Sequence, residues 1–167
     1  ENDGYIDVVV SLSAPGQSSV SVNYTMSNGT AANTLDYDAI SGTLNFAGGE
    51  TTKTIRVPLL DGTTPEALEY FFVNLNTPTN ATIAKSYAIV NLVDNDSVVD
   101  TPQIFVRDVV VDEKAGTASF VVMVGKTGGQ ASSSTVTVDY TTADSTAGAG
   151  SDYVAQSGTL SFAPGES

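Results

Sequence analysis

Apolar and polar side chains alternate with a period of two along most of the chain, and no segment has the period of a helix. In residues 5–13, every second side chain from Ile6 to Leu12 is apolar, which gives a strand one buried face. Turn sequences such as Asn28-Gly29 separate successive strands. The pattern predicts an all-β antiparallel sandwich. The predicted strands span residues 5–13, 19–27, 42–46, 52–60, 69–76, 86–93, 103–111, 117–124, 135–142 and 158–162.

The chain contains an internal repeat. Residues 20–50 and 136–166 align without a gap, and more than half of the paired residues are identical. Both copies carry the motifs Val-x-Val-x-Tyr-Thr and Ser-Gly-Thr-Leu-x-Phe-Ala-x-Gly-Glu. A period of this length indicates tandem domains rather than a solenoid of short units. We expect a first repeat over 1–98 without its opening strand, a linker over 99–102, and the N-terminal half of a second repeat over 103–167, as in a window from a longer array.

Composition excludes several classes of chemistry. The chain has no Cys and no His, so it can form no disulfide, no zinc site from those residues and no Ser-His-Asp triad. Its net charge of -13 repels nucleic acids and anionic lipid surfaces. No apolar run reaches the roughly 20 residues of a membrane span, so membrane insertion is not expected. The acidic composition, rich in Thr, Ser and Gly, is typical of secreted bacterial surface proteins and predicts an extracellular, cell-surface location.

Acidic residues gather at the ends of the predicted strands. In an antiparallel sandwich, the loops that follow alternate strands meet at the same pole. Carboxylates that meet there repel one another unless they are well spaced in solvent or bind a cation. Calcium, which takes about six to eight oxygen ligands, fits such a set better than magnesium, and a solvated acidic surface is the alternative. The acids that gather at strand ends in the first repeat are Glu1, Asp3, Asp36, Asp38, Asp61, Glu66, Glu69, Asp94 and Asp96.

The motifs resemble the Calx-beta domain, a family found in sodium/calcium exchangers, an integrin beta subunit and many bacterial surface proteins. The resemblance covers nearly all of the chain and implies a seven-stranded immunoglobulin-like sandwich, in tandem, with calcium bound at one pole. The matching residues are Val22-Asn23-Tyr24, Gly29-Thr30-Ala31, Asp36-Tyr37, Gly42-Thr43-Leu44-Asn45-Phe46, Gly49-Glu50, Ile55-Arg56-Val57, Glu66, Glu69-Tyr70-Phe71 and Val93-Asp94-Asn95-Asp96.

The resemblance also implies a set of calcium ligands. Gly62-Thr63-Thr64 follows Asp61 where the richest binders of the family have consecutive acids, so we expect fewer or weaker ions here. In the second repeat only Glu113 and Asp152 match, which predicts a partial site. The implied ligands of the first repeat are Glu1, Asp36, Asp61, Glu66, Glu69, Asp94 and Asp96, with Asn95 as a carbonyl donor.

These observations predict a non-enzymatic, calcium-binding structural or adhesive repeat module of an extracellular surface protein or fibre. The expected partners are neighbouring repeats of the same protein and an adhesion target that the sequence does not name. Calcium is expected to stiffen the junction between neighbouring repeats. A calcium-sensing regulatory domain is one alternative. Another is a fibre subunit that self-associates by strand exchange through the exposed strands of the half repeat. An enzyme is the least supported class, because the acid pair Glu66 and Glu69 has no aromatic cleft around it.

Overall fold

The computed structural model describes residues 3–94, 96, 102–126 and 132–166. The chain divides into two compact units, a first unit over Glu1–Ser97 and a second unit over Val98–Ser167. Both are built from antiparallel strands, which confirms the prediction of an all-β tandem chain. In the described part of the chain, no helix is long and apolar enough to cross a membrane.

The first unit is an immunoglobulin-like sandwich of two sheets. β1 pairs with β4 in one sheet, and the other sheet has the order β3-β2-β5-β6. The predicted alternation decides which faces meet, because the apolar side chains of β2 and β5 turn inward while their polar neighbours turn outward. The strands are β1 Tyr5–Ser11, β2 Val20–Asn28, β3 Gly42–Phe46, β4 Thr52–Pro58, β5 Glu69–Thr79 and β6 Tyr87–Leu92.

The core of the first unit lies between the two sheets. Two aromatic rings occupy its end nearest the loop after β2, where Tyr37 stacks on Phe71 with ring centroids 4.0 Å apart. Both side chains are completely buried. The buried apolar set is Val20, Val22, Ala31, Tyr37, Leu44, Phe46, Ile55, Val57, Phe71, Val73 and Leu92.

The second unit repeats part of this arrangement. Its strands β9 and β10 pair in the register of β2 and β3, since Val136 faces Phe162 as Val20 faces Phe46. A second pair, β7 with β8, forms the other sheet. The elements are β7 Pro102–Val106, a 3₁₀ turn Glu113–Ala115, β8 Val122–Lys126, β9 Val136–Thr141 and β10 Ser157–Phe162.

The strands predicted over 103–111 and 117–124 are shorter or displaced in the structure. β7 ends at Val106, and β8 begins only at Val122. In the first unit, β4 supplies a hydrogen-bonding partner along the whole of β1. The second unit has no counterpart of β4 in its described residues, and Phe120 is 58% exposed. Alternation of apolar residues therefore does not produce a strand where no neighbouring strand completes the ladder.

Four strand ends of the first unit meet at one pole. Asn28 at the end of β2 pairs with Phe71 in β5, and Glu69 at the start of β5 pairs with Leu92 at the end of β6. The end of β4 joins them, because Leu59 forms an isolated bridge with Tyr37 in the loop that follows β2. Segments that are distant in sequence therefore begin or end side by side.

Candidate metal site at one pole of the first unit

Three carboxylates converge at this pole. Asp36, Glu66 and Glu69 each offer one oxygen, and the three oxygens lie within 4.8 Å of one another. Asp36 comes from the loop after β2, Glu66 from the loop before β5, and Glu69 from the first residue of β5. Asp36 is buried, Glu69 is half-buried and Glu66 is exposed, so the group is open to solvent on one side.

Hydrogen bonds of the main chain fix the position of Asp36. Its Oδ2 accepts from the amide of Ala32 at 2.6 Å, and its own amide donates to the carbonyl of Ala32 at 3.0 Å. The carbonyl of Asp36 accepts from the amide of Leu60, just after β4, at 3.0 Å. The loop therefore folds back on itself around the carboxylate and is tied to a second strand end.

The neighbouring Tyr37 anchors the same loop in the core. Its hydroxyl donates to Oδ1 of Asn28 at 2.7 Å, and its ring stacks on Phe71. Burial raises the pKa of Tyr37 above its ordinary value, and the negative charge of Asp36 adds to the effect. Neither Asn28 nor Tyr37 was predicted to have a role at the site. The recurrence of Asp-Tyr in both repeats was the available signal.

Two further acids follow the end of β6 and contain unpaired buried oxygens. Asp94 is only 3% exposed, and its Oδ1 accepts from the amide of Asp96 at 3.1 Å. Within the described residues, Oδ2 of Asp94 and Oδ2 of Asp96 are both buried without any hydrogen-bond partner. A buried charged oxygen without a partner carries a large desolvation cost, and an ion is one of the few groups that removes this cost.

The segment after β4 passes near both sets of acids. The amide of Leu60 donates to the main-chain carbonyl of Asp36, and a β-carbon at Gly62 would lie 3.9 Å from Oδ2 of Asp96. Asp94 lies two positions beyond Leu92, the residue that pairs with Glu69. We name Asp36, Glu66, Glu69, Asp94 and Asp96 the acidic pole.

The predicted ligands are thus brought together only in part. The acidic pole contains five of them, and three of these five form the close group. Asp61 lies on the segment after β4, but it is exposed and belongs to no group of three acids in the described part of the chain. Glu1 and Asn95 lie outside the described residues.

The described part of the second unit does not repeat the close group. Glu113 lies in the 3₁₀ turn, and Oδ2 of Asp152 accepts from the amide of Gly148 at 2.8 Å. The amide bond from Gly148 and the hydroxyl bond from Ser151 lower the pKa of Asp152. Neither Glu113 nor Asp152 belongs to a group of three acids within the ranges that the structure describes.

The fold and the acidic pole define a tandem β-sandwich module with an oxygen-donor site at the end of its first sandwich. The family model of the Calx-beta domain matches residues 1–96 and 96–167. The chain therefore belongs to the Calx-beta domain family, which confirms the resemblance that its motifs carry.

Two solved structures are similar along almost the whole chain. One is described as the calcium binding domain CBD12 of CALX1.1, with a TM-score of 0.56, 21% identity, and coverage of 99% of this chain and 66% of that one. CBD12 from CALX1.2 has a TM-score of 0.57, 24% identity, and coverage of 100% and 68%. At these identities the likeness shows the fold alone, and this chain spans about two thirds of each structure. No curated protein matches the chain in sequence.

Proposed function

We propose that the first unit binds calcium at the acidic pole. The two buried oxygens of Asp94 and Asp96 carry this proposal, because each is a charged acceptor that has no donor in the described structure. The available donors are carboxylate oxygens, the ligands that a hard cation such as calcium prefers. Calcium also tolerates an irregular, partly open shell, whereas magnesium requires a compact octahedron. Asp36 is buried and Glu66 is exposed, so the group forms a partly open shell that fits calcium better than magnesium.

The residues present fit the ion on chemical grounds. Asp36, Glu66 and Glu69 would hold it on one side, and Asp94 and Asp96 would supply further oxygens. The ion would supply positive charge that neutralises carboxylates which otherwise repel one another. The CALX structure described as a calcium binding domain supports the proposal by its fold.

We further propose that the role of the ion is structural and that the module is non-enzymatic. Asp96 lies two positions before Val98, where the second unit begins. An ion held by Asp94 and Asp96 restrains the residues that lead into the second unit and so stiffens a tandem array. Such a module suits an extracellular surface protein or fibre, where free calcium is abundant. At a calcium concentration a hundredfold above its dissociation constant, binding to the folded state alone adds about 2.7 kcal/mol.

Thermal unfolding in EDTA, in calcium and in magnesium tests the proposal. Calcium is expected to raise the melting temperature of the first unit, and magnesium to raise it less. The double variant Asp36→Asn with Asp94→Asn should lose this response. The control is Asp38→Asn, which removes one carboxylate charge from an exposed position in the loop of Asp36 and should keep the response.

Coincident curves in all three solutions would contradict calcium binding and leave the acids as a solvated surface. Small-angle scattering of the same samples tests the stiffening, because calcium should narrow the distribution of distances within the molecule. A calcium-sensing domain, the alternative role, requires a dissociation constant near the micromolar range and a change of shape on binding. A millimolar constant without such a change favours the structural role.

A second candidate function is self-association through the second unit. β2 is paired on both sides, by β3 and by β5, whereas β9 pairs only with β10 in the described residues. The inward side chains Val136 and Val138 are only half-buried, while their counterparts Val20 and Val22 are buried. We propose that a strand of the β5 type completes this edge in another molecule.

A labelled peptide of residues 69–79 tests strand completion on the whole chain. We expect it to bind, since its alternating apolar residues match the uncovered face of β9. A control peptide with serine in place of Phe71 and Val73 should not bind. Equal binding of the two peptides, or of neither, would contradict the proposal.

A further inference from the structure

Tyr37 connects the acidic pole to the hydrophobic core. It directly follows Asp36, and the ring on which it stacks belongs to Phe71, two residues after Glu69. Residues at positions i and i+2 of a strand lie on the same face, so Glu69 and Phe71 are neighbours on the inner face of β5. The stack therefore joins the loop that carries one acid of the close group to the strand that carries another.

The hydroxyl of Tyr37 adds a directional bond to this contact. It donates to Oδ1 of Asn28 at 2.7 Å, and the same oxygen accepts from the amide of Asn33 at 3.0 Å. The two bonds close the loop onto the last residue of β2. Stacking and burial hold the ring in the core, and the hydroxyl bond adds a directional restraint on the way the loop leaves the core.

The second unit contains the same arrangement with a different acceptor. There, Oδ1 of Asp144 accepts from the hydroxyl of Tyr153 at 2.6 Å and from the amide of Ala149 at 2.9 Å. Asp144 aligns with Asn28 in the repeat, and Tyr153 aligns with Tyr37. The hydroxyl bond lowers the pKa of Asp144 and raises that of Tyr153. Either an amide or a carboxylate can therefore act as the acceptor at this position.

The position of Asp36 needs such a restraint because of charge. Three carboxylate oxygens within 4.8 Å repel one another when no cation is bound, and the repulsion pushes the loop of Asp36 away from Glu69. Other bonds also tie this loop to its neighbours, from the amide of Leu60 to the carbonyl of Asp36 and from the amide of Ala31 to the carbonyl of Tyr70 in β5, and the hydroxyl bond of Tyr37 adds a side-chain restraint directly beside Asp36. The buried Tyr37 side chain opposes the repulsion from within the core.

We propose that Tyr37 is a positioning residue of the calcium site, whose hydroxyl bond to Asn28 holds Asp36 in reach of Glu69. The proposal rests on the calcium site proposed above and adds a residue that does not touch the ion. Loss of the hydroxyl should reduce calcium affinity by more than the accompanying loss of stability explains, because the loop must then be reordered each time the ion binds.

The test compares Tyr37→Phe with the wild-type chain by calcium titration and by hydrogen exchange in EDTA. Phenylalanine keeps the ring stack and removes only the hydroxyl. We expect calcium affinity to fall about five- to tenfold and exchange of the Ala32 amide, which bonds Asp36, to accelerate by a similar factor. The matched control is Val22→Ala, a core truncation in β2 that should lower the melting temperature at least as much without either effect.

A conservative variant separates positioning from general damage. Asn28→Asp supplies the acceptor that the second unit uses, so it should keep calcium affinity at the wild-type value or above, whereas Asn28→Ala should reproduce the loss seen in Tyr37→Phe. Equal effects of Tyr37→Phe and Val22→Ala would overturn the proposal. If the wild-type chain binds no calcium, the proposed function fails, and the Ala32 exchange in EDTA still decides whether Tyr37 positions Asp36.

Discussion

Asp94→Asn is expected to make the first unit more stable in EDTA and less stable in saturating calcium than the wild-type chain. In the absence of an ion, Oδ2 of Asp94 is a buried carboxylate oxygen with no hydrogen-bond partner among the described residues, and the same holds for Oδ2 of Asp96. An unsatisfied buried polar group costs about 1 to 3 kcal/mol, more if charged, and the neutral amide avoids the charged part of that cost. With calcium present, the variant lacks one anionic ligand and gains less from binding.

Chemical denaturation in EDTA and in calcium measures both effects. The two stability differences should have opposite signs, which no general loss of packing can produce. Asp38→Asn is again the control, because its exposed carboxylate should give small differences in both solutions. Lower stability of Asp94→Asn than of the wild-type chain in EDTA would contradict the account, because the carboxylate of Asp94 would then be satisfied without an ion.

Phe71→Ala is expected to lower the free energy of unfolding of the first unit by about 3 to 5 kcal/mol. The ring is completely buried between the two sheets, and its removal leaves a cavity and ends the stack on Tyr37. Stacked aromatic pairs contribute about 0.5 to 1.5 kcal/mol beyond their buried area. Because most small domains have only about 5 to 15 kcal/mol of stability, this variant loses a large share of it.

The neighbouring Phe72 provides a matched control for Phe71. It lies on the outer face of β5, is half-buried, and makes edge-to-face contacts with Tyr70 and Tyr87. Phe72→Ala removes the same atoms from the same strand but leaves no enclosed cavity, so its cost should be well under half that of Phe71→Ala. Comparable losses for the two variants in urea denaturation would contradict the assigned faces of β5.

Sequence reasoning predicted the strands of the first unit because local alternation and a complete set of partners agree there. Gly42–Phe46 was predicted with the observed bounds, and β2 and β5 with errors of a few residues at their ends. The prediction of a strand over 117–124 failed at residues 117–121, and β8 begins only at Val122. Those five residues alternate as a strand should, but they have no partner strand in the described part of the chain.

The site was predictable in its chemistry but not in its geometry. Acids at strand ends indicated a pole rich in carboxylates, and Asp36, Glu66 and Glu69 do form a close group there. The positions of the acids in the sequence could not show that Asp61 is exposed, because its orientation depends on the path of the chain after β4. They also could not reveal Asn28, a neutral residue whose importance comes from the hydroxyl it binds.

The central claim is that calcium binds among the carboxylates of the acidic pole, and anomalous X-ray diffraction from crystals grown with calcium tests it most directly. The account predicts an anomalous difference peak about 2.3 to 2.6 Å from oxygens of Asp36 and Glu69, with further ligands from Asp94 or Asp96. A map without a peak at this pole, with the same carboxylates hydrogen-bonded only to water, would contradict it.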